Sequence, residues 1–282
     1  MDLFAAIMLG VIQGISEWLP VSSQAMVTLA GRFIAGLEYR EALGVAIWLH
    51  SGTLVSAAAY FRNDIIGMLS KAAKGLHGGA LDGAEHPSGL QREHFEGMGL
   101  LLFLTVATVF TGIVAVPLMF LAFAVEVPDW IFTMAIGVFL VVVALINWRA
   151  GHVGKNKTFG SQKEALSSSI IPGLAQGLAV LPGFSRSGLT IASLLGQGFG
   201  LRESFRLSFL MSIPVAFGAQ VVLPIAREGF TVSSELVVGG AVAAAVGLLT
   251  IHALMEFTRA VDFRWATLAL GLLVIALGLL LA

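Results

Sequence analysis

The stretch Pro182-Gly183-Phe184-Ser185-Arg186-Ser187 interrupts an apolar region, and Pro20-Val21-Ser22-Ser23 interrupts another in the same way. The apolar runs on either side are shorter than the roughly 20 residues that a helix needs to cross a bilayer. Irregular backbone at membrane depth is tolerated only where protein buries it or where it lines a water-filled cavity. Each pair of runs therefore predicts a re-entrant helical hairpin, with two complete short spans as the alternative. The runs are 3–19 with 24–37, and 168–181 with 188–200.

The composition predicts that lipid is the main solvent of the chain. Of its 282 residues 57% are hydrophobic and only 12% are charged, and the mean hydropathy is +0.91. Soluble domains are about a quarter charged. We therefore expect an all-α polytopic membrane protein with six spanning helices besides the two hairpins. The predicted spans are 42–61, 97–124, 129–147, 204–226, 235–255 and 263–282.

Charge and cysteine content exclude several classes of function. The net charge of −1 gives no reason to expect a nucleic-acid partner. The chain has no cysteine, which excludes disulfides, thiolate metal sites and a cysteine nucleophile.

The distribution of Lys and Arg predicts the orientation of the spans. The segments 62–96 and 148–166 hold four bases each. Threading the spans from these segments puts twelve of the sixteen bases inside and three outside, with Arg186 left in the second hairpin. Short cytoplasmic loops carry the excess of Lys and Arg. We therefore expect a multi-pass protein of the cell membrane, with 148–166 in the cytoplasm and both termini outside.

The two halves of the chain resemble each other, and the hairpins lie at equivalent places in them. An odd number of spans separates the hairpins, so they enter the membrane from opposite sides. This pattern predicts an inverted-topology repeat made of 1–147 and 168–282, joined by a basic linker over 148–167. Interrupted helices that meet near the midplane of such repeats usually mark a binding site. The matching pairs are Gln13-Gly14 with Gln176-Gly177, Leu19-Pro20 with Leu181-Pro182, and Arg40-Glu41 with Arg202-Glu203.

Arg186 is the most informative residue of the second hairpin. A guanidinium at membrane depth is costly and cannot escape by deprotonation, so it needs an anionic partner. Glycines, hydroxyls and a helix beginning near Gly188 surround it, and together they suit a phosphate group. The alternative is a structural ion pair with Glu17 that joins the hairpins. The candidate substrate-binding residues around Arg186 are Gly183, Ser185, Ser187, Gly188 and Thr190.

The first hairpin carries the complementary chemistry. Gln13 and Glu17 are four residues apart, so one helical face carries both towards the break at Ser22 and Ser23. A carboxylate near hydroxyls and a bound phosphate suits a general base or a ligand of a divalent ion. His50 is a second candidate for acid–base chemistry, although a lone histidine in a span is more typical of a hydrogen-bonded packing residue.

Two motifs resemble those of the undecaprenyl-diphosphate phosphatase family, also called the bacitracin-resistance family. Gln13-x-x-x-Glu17 followed by Leu19-Pro20-Val21-Ser22-Ser23 is similar to its Glu/Gln-x-x-x-Glu motif, and 182–190 is similar to its Pro-Gly-x-Ser-Arg-Ser-x-x-Thr motif. The resemblance covers essentially the whole chain. It implies hydrolysis of a long-chain polyprenyl diphosphate to the monophosphate, which recycles the lipid carrier of cell-envelope glycans.

Carried over by position, the resemblance implies Gln13, Glu17, Ser23 and Arg186 as the functional set. With the residues discussed above, Glu17, Ser23 and Arg186 are then the expected catalytic residues, His50 is a further candidate, and Gln13 and Ser22 join the expected substrate-binding residues. Gln13 and Glu17 are the expected ligands of a divalent cation, Mg²⁺ or Ca²⁺. A homodimer is a candidate assembly.

One departure from the family pattern bears on catalysis. The family motif usually has a histidine three residues after the second serine, where this chain has Met26. A thioether cannot transfer protons, so Glu17 or His50 has to substitute for that histidine. The departure keeps a rival function open, a transporter or flippase of polyprenyl phosphate that uses the same anion site without hydrolysis.

Overall fold

The computed structural model describes residues 1–77, 89–124, 128–150, 157, 159, 161–181, 183–227, 229–257 and 263–280. These residues form eleven α-helices and no β-strand. The helices are α1 (Leu3–Ser16), α2 (Ser23–Ala35), α3 (Tyr39–Tyr60), α4 (Arg62–His77), α5 (Gly89–Ala124), α6 (Asp129–Ala150), α7 (Gln162–Leu178), α8 (Arg186–Gly196), α9 (Leu201–Ala226), α10 (Ser234–Phe257) and α11 (Phe263–Leu280).

The length and composition of these helices confirm the predicted all-α polytopic membrane fold. Among the described residues, four helices are long and apolar enough to cross a membrane: Tyr39–Tyr60, Gly97–Ala124, Leu201–Ala226 and Ser234–Glu256. Shorter apolar stretches lie in α6 and α11, the other two predicted spans.

The four arms of the predicted hairpins are short helices. They have 14 residues in α1, 13 in α2, 17 in α7 and 11 in α8. At 1.5 Å per residue each is shorter than the roughly 30 Å hydrocarbon core. The helices of each pair pack against each other, α1 on α2 and α7 on α8. The breaks between them therefore lie inside the protein.

Two predicted boundaries were wrong. The segment 62–96 was expected to be a loop, but it contains α4 and the start of α5. Ile65 and Met68 of α4 pack against the main hydrophobic core, and this tertiary contact stabilises the helix. The first arm of the second hairpin begins at Gln162 rather than at 168, because Ser161 caps the helix by accepting a hydrogen bond from the Glu164 backbone N–H. Residues 151–156, 158 and 160 of the predicted linker, and Pro182, lie outside the described residues.

Close helix pairs support both hairpins. Helix α1 packs against α10, and α7 packs against α5. Gly10-x-x-x-Gly14 in α1 and Gly173-x-x-x-Gly177 in α7 face these partners. A Cβ on Gly173 would lie only 2.6 Å from the Ala107 carbonyl oxygen, so the backbones can approach this closely only at glycine. Small residues at such spacing are typical of helix contacts in membranes. The inverted relation of the two halves stays a prediction.

Candidate active site at the contact of the two hairpins

Glu17 lies directly after α1 and joins the two hairpins. Its side chain is only 5% exposed. One carboxylate oxygen, Oε1, accepts a hydrogen bond of 2.5 Å from Arg186 Nη2. The other, Oε2, accepts from Ser23 Oγ at 2.6 Å and from Gln13 Nε2 at 2.8 Å. The structure therefore brings three other predicted site residues, from both hairpins, to the buried carboxylate of Glu17.

Local backbone conformation explains this convergence. Gln13 and Glu17 are one helical turn apart, as predicted. Ser22 follows with φ of 61°, a left-handed conformation that is uncommon for a residue other than glycine. This sharp turn starts α2 at Ser23 and directs its hydroxyl back to Glu17. Arg186 is the first residue of α8, which begins two residues earlier than expected.

Further contacts hold the Arg186 guanidinium from two more sides. Nη1 donates a hydrogen bond of 3.1 Å to the Ser208 carbonyl oxygen of α9, and Cζ lies 5.8 Å from the centre of the Trp18 ring. Trp18 is fully buried and donates through Nε1 to the Gly247 carbonyl oxygen at 2.9 Å. A guanidinium over an indole face gains a cation–π attraction. The ion pair of the structural alternative is thus present.

His50 of α3 also contacts the Glu17 carboxylate. Its Nε2 lies 3.3 Å from Glu17 Oε2, and its Nδ1 lies 2.7 Å from the Ala46 carbonyl oxygen. A carbonyl oxygen can only accept, so Nδ1 carries a hydrogen. Nε2 is then free to exchange a proton with Glu17. His50 is therefore close enough to serve in acid–base chemistry.

The polar side chains of the second hairpin form hydrogen bonds mainly with backbone groups of the protein. Ser185 caps α8 by accepting from the Gly188 N–H at 3.1 Å. Ser187 Oγ donates to the Leu19 carbonyl oxygen at 2.8 Å, which links the hairpins. Thr190 Oγ1 donates to the Arg186 carbonyl oxygen at 2.9 Å.

The turn that precedes α8 makes a similar link. The Gly183 N–H donates to Ser22 Oγ at 3.2 Å. Gly183 has φ of +105°, and a Cβ there would lie 2.8 Å from the Ile136 Cα. Glycine is therefore required at this position by the turn and by packing. Substrate binding by the polar groups of 182–190 stays a prediction.

The residues predicted to hold a divalent cation offer a small but suitable donor set. In the described part of the chain, no group of three or more His, Asp or Glu side chains could bind a metal by itself. Gln13 Oε1, however, is buried there without a hydrogen-bond partner, next to the Glu17 carboxylate. Mg²⁺ is commonly held by one or two carboxylates together with substrate phosphates. The residues fit a cation whose remaining ligands come from a bound diphosphate.

A partly open cavity connects this cluster with the helices α5 and α9. It encloses about 930 Å³ of empty space, including its open side, and Glu17, His50 and Arg186 line it. Three contributors to the site were not predicted: Trp18, Ser208 and Gln176. Gln176 lines the cavity at the position that repeats Gln13, so the internal repeat was a usable signal for it. No sequence pattern indicates that the Ser208 carbonyl contacts Arg186.

Comparison with known proteins identifies the family. The family described as bacitracin resistance protein BacA matches residues 6–278. This chain belongs to the BacA family.

Named relatives match this chain over nearly its whole length. A protein of Methanococcoides burtonii is 34% identical over 97% of both chains. Proteins of Haloarcula marismortui and Pyrobaculum aerophilum are 34% and 32% identical, each over 99% of this chain and 98% of the relative. All three relatives are named undecaprenyl-diphosphatase.

Proposed function

We propose that this protein is a membrane phosphatase that hydrolyses a long-chain polyprenyl diphosphate of the undecaprenyl type to the monophosphate. The observation that carries the proposal is the buried contact of Glu17, Ser23 and Arg186 where the two hairpins meet. The names of the full-length relatives support the substrate. Such a reaction recycles the lipid carrier of cell-envelope glycans.

Arg186 binds the diphosphate in this proposal. Its guanidinium is always charged and presents parallel N–H donors to phosphate oxygens. Before substrate binds, Glu17 is its anionic partner at 2.5 Å. A diphosphate oxygen replaces the carboxylate as that partner, so the same event binds the substrate and releases Glu17 to act as a base.

Ser23 and Glu17 carry out the attack. Ser23 Oγ, whose hydrogen already points to Glu17 Oε2 at 2.6 Å, attacks the terminal phosphorus or holds a water that does so. The proton passes to Glu17. The bond between the terminal phosphorus and the bridging oxygen breaks, and its electron pair leaves with the polyprenyl monophosphate. If a phosphoserine forms, water hydrolyses it and frees Ser23.

His50 serves as the proton shuttle in place of the histidine that Met26 replaces. Its Nε2 is 3.3 Å from Glu17 Oε2. It receives the proton that Glu17 has taken and returns it to the leaving group or to bulk water. General acid–base help of this kind is typically worth about 10² to 10⁴ in rate.

A divalent cation, Mg²⁺ or Ca²⁺, is part of the proposal. When bound, it would neutralise charge on the diphosphate, held by Gln13 Oε1 and Glu17. Arg186 and His50 lie beside the single carboxylate, so we expect the cation to bind together with a diphosphate rather than before it. Electron paramagnetic resonance of Mn²⁺ tests this: pyrophosphate should promote Mn²⁺ binding to wild type and less so to Gln13→Ala.

Two finer features are also proposed. The distribution of bases supports an orientation with both termini outside, and a cysteine introduced at Lys157 should resist an impermeant thiol reagent in intact cells. Labelling of that cysteine in intact cells would show that the orientation is the opposite one. A homodimer remains the candidate assembly, to be tested by the mass of the protein in detergent.

Phosphate release by the purified protein tests the function. Wild type should release phosphate from a polyprenyl diphosphate in detergent when Mg²⁺ or Ca²⁺ is supplied. A transporter would instead bind the lipid and move polyprenyl phosphate across sealed vesicles without releasing phosphate. That result would contradict the phosphatase function and favour the transporter.

A further inference from the structure

The cavity at the active site continues along α5 and α9 beyond the charged residues. Ser208, whose carbonyl contacts Arg186, lies one turn before Ser212 on α9, and Ser212 lines the cavity. From there the lining follows α9 through Val215 and Ala219 to Val222. We call this extension the corridor.

One face of α5 forms the opposite wall. Thr108, Gly112, Ala115 and Met119 recur at helical spacing along it. Met119 is eleven positions after Thr108, which corresponds to about 16 Å of helix at 1.5 Å per residue. Ile47 of α3 lines the corridor between the two walls, and its carbonyl oxygen accepts a hydrogen bond of 2.8 Å from Gln220 of α9.

The corridor suits a hydrocarbon chain. All the charged residues that line the cavity belong to the Glu17, His50 and Arg186 cluster. Beside the corridor, large apolar side chains such as Ile113 and Phe217 are 61% and 64% exposed on the same two helices. In a membrane protein such a surface faces lipid, so the corridor borders the bilayer.

Two glycines keep the corridor open. Gly112 of α5 and Gly218 of α9 both line the cavity, and a Cβ at either would meet no atom within 4 Å. This differs from Gly173 and Gly177, where an added Cβ collides with α5. Close packing therefore does not require glycine at 112 or 218, while a large side chain there would fill the corridor.

We propose that the corridor between α5 and α9 binds the first isoprene units of the lipid substrate, with Gly112 and Gly218 as residues that determine chain-length specificity. The proposal rests on the proposed function, because it takes a prenyl chain as the group attached to the diphosphate. Apolar contact along the corridor then favours long prenyl diphosphates over short ones.

The test compares Gly112→Leu and Gly218→Leu with wild type and with Gly196→Leu. Gly196 ends α8, and a Cβ there also meets no atom within 4 Å, so this variant controls for leucine in place of a helical glycine. The substrates are dimethylallyl, farnesyl and undecaprenyl diphosphate. For wild type and Gly196→Leu, kcat/KM should rise with chain length.

For the two corridor variants, the ratio of kcat/KM between undecaprenyl and dimethylallyl diphosphate should fall about tenfold or more, since even one methylene in an apolar pocket is worth about that much. An unchanged ratio would overturn the proposal. Equal losses for all three substrates would leave that ratio unchanged too, and would mean that the corridor admits water or phosphate rather than the chain.

Photo-crosslinking separates this proposal from the proposed function. A farnesyl phosphate with a diazirine on its terminal isoprene unit should label α5 and α9 in wild type, and label them less in Gly112→Leu. This readout needs no turnover, so it tests the corridor even if no substrate is hydrolysed. If neither Gly112→Leu nor Gly218→Leu reduces the labelling, the proposal is overturned.

Discussion

The two hairpins contribute to the same site in different ways. In the first, Ser23 donates a hydrogen bond to Glu17, and Glu17 accepts another from Arg186. In the second, Arg186 faces the site while Ser185 and Ser187 bond to backbone groups. In the proposed reaction the first hairpin thus supplies the reacting groups, and the second supplies the Arg186 cation.

The two hairpins also carry glutamines at equivalent positions, and these glutamines have different neighbours. Gln13 lies beside the Glu17 carboxylate, while its counterpart Gln176 donates a hydrogen bond to Thr111 Oγ1 at 3.1 Å and lines the cavity. Each has a buried Oε1 without a partner among the described residues. The two glutamines of the repeated sequence are therefore both buried, and only Gln13 has a carboxylate as its neighbour.

The largest effect should come from Arg186→Lys. Lysine keeps the charge but loses the parallel donors and the flat contact with Trp18. Loss of such a preorganised donor typically costs about 10² to 10³ in kcat. Phosphate release should fall by about 10³, while Arg206→Lys, in a half-buried ion pair with Asp64 outside the active-site cavity, should lose far less activity. Near-normal activity of Arg186→Lys would refute phosphate binding as its role.

A smaller loss is expected when the proton shuttle is removed. His50→Ala should lower kcat about 10²-fold, because Glu17 remains as a base without its partner. Met26→His in the His50→Ala protein should restore part of the rate by placing an imidazole at the family position. If His50→Ala keeps full activity across the pH range, His50 is a packing residue.

The serines of the second hairpin should affect stability more than rate. Ser185→Ala removes a helix cap and Ser187→Ala removes a bond between hairpins, and each should cost about 1 kcal/mol of folding free energy. Thermal unfolding in detergent measures this. Per folded molecule, each variant should lose far less activity than Arg186→Lys. A loss as large as that of Arg186→Lys would assign these hydroxyls to the substrate.

The sequence predicted the all-α membrane fold because composition and apolar run length reflect the lipid solvent directly. It also indicated the meeting of Glu17 and Arg186, since a buried guanidinium requires an anion. It could not indicate α4, because that helix is stabilised by packing of Ile65 and Met68 on a distant core. Nor could it show the Ser208 carbonyl at Arg186, because every residue has a carbonyl and only the fold selects one.

The central claim is that the carboxylate shared by the two hairpins drives hydrolysis. The most direct measurement is phosphate release from a polyprenyl diphosphate, with divalent cation supplied, by wild type and Glu17→Gln. Glutamine keeps the shape of the side chain and one acceptor oxygen, which can face either Arg186 or Ser23, but it cannot take a proton. Wild type should release phosphate, and Glu17→Gln should bind the lipid while its rate falls by at least about 10². No release by folded, lipid-binding wild type, or equal rates for both proteins, would contradict the account.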